Sequence, residues 1–436
     1  HLRIDQEIAS FTFPTACASG ECGERAGGGG AGAMAFVGFD YIVVGGGAGG
    51  GALAARLAED PAVSVLLLEA GPEHRSADLP PELAAIDVSR VSSDERWNWP
   101  TLVAQRSRTQ AARPYSAGRG MGGGGLINGL GWMRPEPGDF ADGGWGSEWS
   151  YEHMLPLFRA MEDDPLAAEA PEVHGSGGPI PVYRPKEEEW GALSQAFKAA
   201  AEPEYGWCDD MNAPDSAGVM AFPVNTTTTG PGVEHDGDTH RRVSVNDGYL
   251  EAARGRPNLT LRGGALVDRV LFDEGLRAVG VAIVSEGGGR EELLAKREVL
   301  LCAGAVGTPA ILQRSGVGPA PLLRELGIPL VLDAPVGQGT RPFVRLDVCQ
   351  SQERFRLSTG LQDHSNISCT VNYRHPGSPH LGWFAYAFCK ISSGLGGAGR
   401  NDMALAAADA SAPAPFAYVL FRRPQRRCCA CTVDGR

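Results

Sequence analysis

Residues 39–69 of the chain read FDYIVVGGGAGGGALAARLAEDPAVSVLLLE, and this stretch decides the fold. The apolar, β-branched run Phe39–Val44 predicts a strand. Residues Ala52–Ala58 favour a helix, and Val63–Leu68 predicts a second strand that ends at Glu69. Strand, glycine-rich turn, helix, strand and acid in this order are typical of a βαβ unit that binds a nucleotide.

The turn of this unit has the spacing Gly45-x-Gly47-x-x-Gly50, with Ala48 and Gly49 inside it. The first glycine permits a tight turn, the second lets a pyrophosphate approach the backbone, and the third lets helix and strand pack closely. The N-terminus of the following helix offers free N–H groups and a partial positive charge. These five residues are therefore predicted to bind a dinucleotide. The alternative is a glycine-rich turn with a structural role only.

Glu69 lies 19 residues beyond Gly50. This is close to the spacing of about 20 that is expected for an acid accepting hydrogen bonds from a ribose. A carboxylate at this place would repel a 2′-phosphate, which disfavours NADP. The glycine loop alone fits FAD and NAD equally.

Composition narrows the class of protein. The 436 residues predict two to three domains. The net charge is −13, and the chain lacks the basic cluster that a duplex-binding protein needs, so we expect no nucleic-acid partner. The ten cysteines show no zinc-site spacing, so no metal is expected. No apolar run reaches the about 18 to 20 residues that span a bilayer. A cytoplasmic location follows as an expectation.

Two later segments separate FAD from NAD. They are GRGMGGGGLINGLGWMRP at 118–135 and GAVGTPAILQRSGVG at 304–318. Both resemble, in order, the signatures of the glucose-methanol-choline (GMC) family of flavin oxidoreductases, and the resemblance covers roughly residues 39–336. It implies an FAD cofactor. The first signature departs from the family pattern at Met121, where a branched aliphatic residue is usual, and at Gly124-Gly125, where hydroxyl residues are usual. Weaker FAD binding than in a Ser-Ser version is therefore expected.

The resemblance adds cofactor-binding residues to those of the first loop. A glycine loop has no Cβ atoms to obstruct a flat ring or a phosphate, and Asn128 offers both a donor and acceptors. Val267 resembles the residue whose backbone meets the adenine. The predicted additions are Gly122, Gly124, Asn128, Gly129, Val267 and Ala303. In the second signature, Thr308 and Pro309 are predicted to be the N-cap and first residue of a helix.

The fold class is predicted as α/β, with a discontinuous, Rossmann-like FAD-binding domain and a partial α+β substrate domain. The FAD-binding domain is assigned to residues 36–160 and 240–336, and the substrate domain to 161–239 and 337–436. The substrate domain is expected to contain an antiparallel sheet facing the flavin. Residues 1–35 are interpreted as a disordered or artefactual extension.

The resemblance also implies a reaction, in which the hydride of an alcohol moves to the flavin while a base takes the hydroxyl proton. The family places a histidine for this purpose in its C-terminal region, and no matching segment is found here. The C-terminal residues therefore suggest a truncated reading of a longer protein. His153, His235, His240 and His364 are poor substitutes, so the catalytic residue is unknown.

Two hypotheses remain open. One is an active FAD-dependent alcohol dehydrogenase or oxidase, with a small-molecule alcohol as substrate and an unknown electron acceptor. The other is a catalytically incomplete FAD-binding remnant. A lyase is a distant third, and an NAD dehydrogenase would leave both later motifs unexplained.

Overall fold

The computed structural model describes residues 38–87, 91–105, 111–143, 146–228, 240–285, 288–337 and six later strands within 345–421. The predictions on 1–35, His235, His364 and the C-terminal tail lie outside these residues. No described helix has both the length and the apolar character needed to cross a membrane. The helices are α1 Ala48–Leu57, α2 Pro81–Ala84, α3 Pro137–Gly143, α4 Tyr151–Met161, α5 Ala192–Tyr205, α6 Glu251–Ala253, α7 Gly304–Arg314 and α8 Ala320–Glu325.

The strands are interspersed with these helices along the sequence, and the last seven that the structure describes follow α8. They are β1 Phe39–Val44, β2 Val65–Leu68, β3 Leu102–Gln105, β4 Arg113–Pro114, β5 Glu162–Asp163, β6 Ile180–Pro181, β7 Gly218–Ala221, β8 Thr226–Thr227, β9 Arg241–Arg242, β10 Leu259–Arg262, β11 Ala265–Phe272, β12 Ala278–Ser285, β13 Arg290–Leu301, β14 Val317–Gly318, β15 Leu332–Asp333, β16 Arg345–Gln350, β17 Glu353–Ser358, β18 Ser365–Thr370, β19 Ala387–Ile391, β20 Met403–Ala408 and β21 Phe416–Phe421.

The main sheet has the strand order β10-β2-β1-β13-β12-β11. The pairs β10–β2, β2–β1 and β1–β13 are parallel. The pairs β13–β12 and β12–β11 are antiparallel, so these three strands form a meander. The long β13 takes part in both, because its first half pairs with β12 and its second half with β1. The parallel strands with α1 between β1 and β2 confirm the predicted α/β, Rossmann-like class.

Both faces of the parallel strands are buried, as is usual for such sheets. Side chains alternate between the faces, so neighbours in one strand enter different clusters. On the α1 face, Val43 and Leu67 pack with Ala54 and Ala55. The opposite face carries the cluster that includes α7 and the meander: Ile42, Val44, Leu66, Leu68, Val267, Ile283 and Ile311.

Two further sheets contain later parts of the chain. One is antiparallel with the order β18-β21-β20-β19-β7, and the other has the order β17-β16-β3-β4. The first joins a strand at 218–221 to strands beyond residue 364, and the second joins 102–114 to 345–358. The division into an FAD-binding domain and a substrate domain stays a prediction, as does the expectation that the antiparallel sheet faces the flavin.

The prediction for the start of α7 was wrong. The helix begins at Gly304, with Ala303 as N-cap, and Pro309 lies inside it. Strand β13 ends at Leu301, opposite Val44 of β1, and the chain turns into the helix within two residues. The end of the parallel pairing therefore determines where α7 begins. The local preference of Thr308 and Pro309 for a helix start is overridden.

Candidate functional site

The turn after β1 requires glycine at two positions. Gly45 has a φ of +104°, and a Cβ atom there would lie 2.5 Å from the carbonyl oxygen of Cys302. A Cβ atom on Gly50 would lie 2.0 Å from the carbonyl oxygen of Gly45. The first clash involves the end of β13, and the second involves the close packing of α1 on the turn. Side chains at either position would therefore force the turn open.

The N-terminus of α1 is open to a ligand. Its N-cap is Gly47, which has no side chain to cap the helix, and the first turn contains no acidic residue. Ala48 and Gly49 are exposed, and a Cβ atom on Gly49 would meet nothing within 4 Å. The first N–H groups of a helix have no partner within the helix, so this end suits an anion.

The second glycine loop, Gly118–Gly125, lies directly against the first, Gly45–Gly50, although the 67 residues 51–117 separate them in the sequence. The N–H of Gly122 donates to the carbonyl oxygen of Gly46 over 2.9 Å. Gly123 has a φ of +54°, and its Cβ position would lie 2.7 Å from the Cα of Gly47. Backbone thus meets backbone, and the two loops form one glycine-lined surface.

Glu69 lies where the two loops meet and is 7% exposed. Its Oε2 accepts from the N–H of Gly46 over 2.8 Å, and its Oε1 accepts from the N–H groups of Gly71 and Gly120 over 2.9 and 3.1 Å. Burial raises the pKa of this carboxyl, although these hydrogen bonds act in the opposite direction. A carboxylate has about four acceptor sites. One of these sites therefore accepts from no described residue.

The other predicted residues lie around this centre. Ala303 is close to the first loop, because its Cα would be 2.9 Å from a Cβ atom on Gly45. Val267 is buried two residues after Ala265, whose N–H donates to the carbonyl oxygen of Glu69 over 2.9 Å. The carbonyl oxygen of Val267 accepts from Nη2 of Arg314 over 3.3 Å.

Gly122 and Gly124 occupy different environments within the second loop. Gly122 is buried with a φ of +115°, and its Cβ position would clash with the Leu126 side chain at 2.8 Å. Gly124 is exposed and has open space around its Cβ position. Asn128 is exposed, and Gly129 after it is half-buried.

Sequence reasoning missed Arg242, whose side chain is fully buried. Its Nη1 donates to the main-chain oxygen of Asn128 over 2.7 Å and to Asn128 Oδ1 over 2.8 Å. Burial lowers the pKa of this guanidinium to about 10. The signal in the sequence is the arginine pair directly before Val243, because a charged side chain that becomes buried needs hydrogen-bond partners.

A buried network of charged side chains lies next to the second loop. Glu162 accepts from Nε1 of Trp132 over 2.9 Å and also pairs with Arg134 and His174. Burial alone would lower the pKa of His174, but hydrogen bonds to Asp164, Asp210 and Glu162 outweigh it and raise the pKa to about 10. Glu162, Asp164 and His174 are close enough to share a cation, but arginines already pair with both carboxylates.

The two described histidines that were considered as bases occupy different settings. His153 is exposed, with Nδ1 2.9 Å from Ser150 Oγ. His240 is buried, and its ring centroid lies 4.3 Å from that of Tyr183. Burial lowers the pKa of His240. Neither is assigned a catalytic role.

FAD fits the residues present. The uncapped helix N-terminus at Ala48 and Gly49 suits a diphosphate, and the remaining acceptor site of Glu69 suits a hydroxyl donor. A Cβ atom on Gly124 would meet nothing within 4 Å, so the backbone of the second loop is accessible at this residue. These features belong to one surface, which is the arrangement that a long dinucleotide needs.

The profile of the GMC oxidoreductase family matches residues 39–364. An uncharacterised GMC-type oxidoreductase of Rhodococcus erythropolis is 41% identical over 301 residues, covering 67% of this chain and 56% of the relative. An oxygen-dependent choline dehydrogenase of Pseudomonas aeruginosa is 40% identical over 320 residues, covering 71% of this chain and 54% of the relative. The chain thus spans a little more than half the length of these relatives.

Solved structures agree with the sequence comparisons. Pyridoxine 4-oxidase from Mesorbium loti superposes with a TM-score of 0.71 at 27% identity, covering 89% of this chain and 72% of that one. An FAD-dependent oxidoreductase from Chaetomium thermophilum gives a TM-score of 0.65 at 26% identity, covering 81% of this chain and 62% of that one. The glycine-lined surface and the matched residues lead to one conclusion: the chain belongs to the GMC oxidoreductase family, whose cofactor is FAD.

Proposed function

We propose that this protein binds FAD and uses it to oxidise the CH–OH group of a small alcohol. One observation carries the proposal: two glycine loops, Gly45–Gly50 and Gly118–Gly125, meet backbone to backbone around Glu69 and the open N-terminus of α1. This surface is suited to a diphosphate, a ribose and a flat ring in succession.

Bound FAD supplies the acceptor for the hydride that leaves the carbinol carbon, while the hydroxyl proton goes to a base. The described residues serve to bind and orient. The helix N-terminus at Ala48 would hold the phosphates, Glu69 would hold the ribose, and Gly124 in the second loop with Asn128 just beyond it would support the ring. No base is assigned among the described residues.

The relatives suggest the first substrates to try. Choline and pyridoxine appear in the names of two of them, and both compounds carry a primary alcohol. A panel of these two compounds with simple aliphatic and benzylic alcohols covers cationic, heteroaromatic and neutral substrates. The site does not identify the electron acceptor, so both dioxygen and an artificial electron-accepting dye would be tested.

The test is the visible spectrum of the purified full chain. We expect a bound flavin spectrum that bleaches anaerobically when a substrate alcohol is added. A Glu69→Ala chain is the control, since it should lose most of the flavin. A wild-type chain that folds but retains no flavin after reconstitution would contradict the whole proposal.

The alternative function is FAD binding without alcohol oxidation. It predicts the same bound-flavin spectrum with no bleaching by any alcohol of the panel, although dithionite still reduces the flavin. The same experiment therefore separates the two functions.

A further inference from the structure

Arg242 is a buried cation whose hydrogen bonds go to neutral groups. It is 0% exposed, and its Nη1 donates to Gly125 O, Asn128 O and Asn128 Oδ1 over 3.3, 2.7 and 2.8 Å. Among the described residues no carboxylate forms a salt bridge with it. Asp247 is the nearby acid, and its oxygens already accept from Arg241 and Ser244.

Such a burial is costly, and it persists only where the charge serves the surrounding structure. One of its three acceptors is Gly125, the last residue of the second glycine loop, and the other two belong to Asn128, three residues further on. The fully buried guanidinium therefore fixes the carbonyl groups of Gly125 and Asn128, although Asn128 itself is exposed.

The contacts also determine which end of the Asn128 side chain is free. Asn128 Oδ1 accepts from Nη1 of Arg242 and from the N–H of Leu130, over 2.8 and 3.1 Å. Both partners can only donate, so the oxygen of the carboxamide must face them. The Nδ2 group then points to the other side, where no described residue accepts from it. Asn128 thus offers donors and no acceptor to a ligand.

We propose that Arg242 is a positioning residue that orients Asn128 as a hydrogen-bond donor to an acceptor atom of the flavin ring. This inference rests on the proposed function. The positive charge of Arg242 on Oδ1 withdraws electron density from the amide, which makes Nδ2–H a stronger donor, as expected for linked hydrogen bonds in a region of low dielectric constant. The donor gains most when the ring acquires negative charge on reduction.

The decisive variant is Asn128→Asp in the full chain. A carboxylate keeps its contact with Arg242, and strengthens it by charge, but it can only accept. We expect stability against urea to be unchanged or higher and FAD affinity, measured by flavin fluorescence quenching, to fall by about tenfold or more. The midpoint potential of the flavin that still binds should become more negative.

A double-mutant cycle then tests whether Arg242 acts through Asn128. Arg242→Met should weaken FAD binding and lower the midpoint potential in the wild-type background, and should add little in an Asn128→Ala background. Arg241→Met is the matched control. Arg241 is also buried, in the same strand, but it binds Ser76 O and Asp247 instead. Its loss should leave the potential unchanged.

The outcomes separate this inference from the proposed function. A wild-type chain without flavin contradicts the proposed function itself. A wild-type chain that binds FAD while Asn128→Asp binds it equally well, at the same potential, overturns the donor role. Additive effects of Arg242→Met and Asn128→Ala overturn the positioning role. Because Asn128 is exposed, its variants test the donor role even if Arg242→Met does not fold.

Discussion

Replacing Gly50 by alanine should separate α1 from the turn that precedes it. The added Cβ atom would lie 2.0 Å from the carbonyl oxygen of Gly45 and 2.9 Å from the Cβ of Cys302. Ordinary contacts begin at 3.4 Å. The helix or the turn must therefore move by more than an ångström, and neither contact is the mobile end of a flexible side chain.

The expected loss of stability in Gly50→Ala follows from the close packing around this residue. Forcing one extra carbon into a close-packed contact costs about 1 to 3 kcal/mol. A shift of this size also moves the open N–H groups of α1 away from the phosphates that they are proposed to bind. We therefore expect the free energy of unfolding to fall by about 1 to 3 kcal/mol, and FAD affinity to fall with it.

Gly49→Ala is the matched control, one residue away in the same helix. Its Cβ atom meets nothing within 4 Å, and alanine favours a helix over glycine by about 0.5 to 1 kcal/mol. Urea unfolding of the two apo variants should therefore shift in opposite directions relative to wild type. Equal stability of Gly49→Ala and Gly50→Ala would refute the assignment of Gly50 as the close-packing position.

Three other predictions follow from the site. Gly124→Ser should raise FAD affinity, because its side chain enters open space and adds a hydroxyl that can donate to the cofactor. Gly125→Ser should raise FAD affinity too, although its Cβ atom would lie 3.3 Å from Ser244 Cβ, below the ordinary contact distance, so that Ser244 must shift by a few tenths of an ångström. Fluorescence titration that shows unchanged or weaker binding contradicts the prediction for either variant. Glu69→Gln should destabilise the chain by about 1 to 3 kcal/mol, since its amide group would face a backbone N–H donor; urea unfolding at neutral pH measures the loss, and a neutral result counts against the three hydrogen bonds. His174 has an ordinary pKa of 6.5 that is raised to about 10 in the folded chain, so its stabilising effect is complete below pH 6.5 and is lost as the pH rises towards 10. The free energy of unfolding of wild type minus that of His174→Gln should therefore decrease between pH 6.5 and 10, by at most about 1.4 kcal/mol per pH unit. If the stabilities of the two proteins change in parallel with pH, the raised pKa is excluded.

Much of the fold could be predicted from local pattern. The run Phe39–Val44 was predicted as a strand and has those bounds in the structure. The second strand was predicted at Val63–Leu68 and begins two residues later. Strand and helix preferences act over a few residues, so they can be read from the chain itself. The family signatures at 118–135 and 304–318 then indicated the flavin.

The start of α7 shows where local pattern fails. Thr308 and Pro309 are good residues for a helix start, yet the helix begins at Gly304. The pairing of Leu301 with Val44 brings together segments that are more than 250 residues apart. No window around residue 308 contains that information.

The sequence by itself determined the first strand and most of the second, the glycine spacing and the family, because these depend on short-range preferences and on ordered motifs. Only the tertiary structure showed that Gly123 lies against Gly47, and that a buried Arg242 turns the oxygen of Asn128 inward. Contacts of this kind depend on how distant segments pack. Burying a charge or a backbone polar group costs free energy unless packing brings a hydrogen-bond partner close to it, and the sequence alone does not identify that partner.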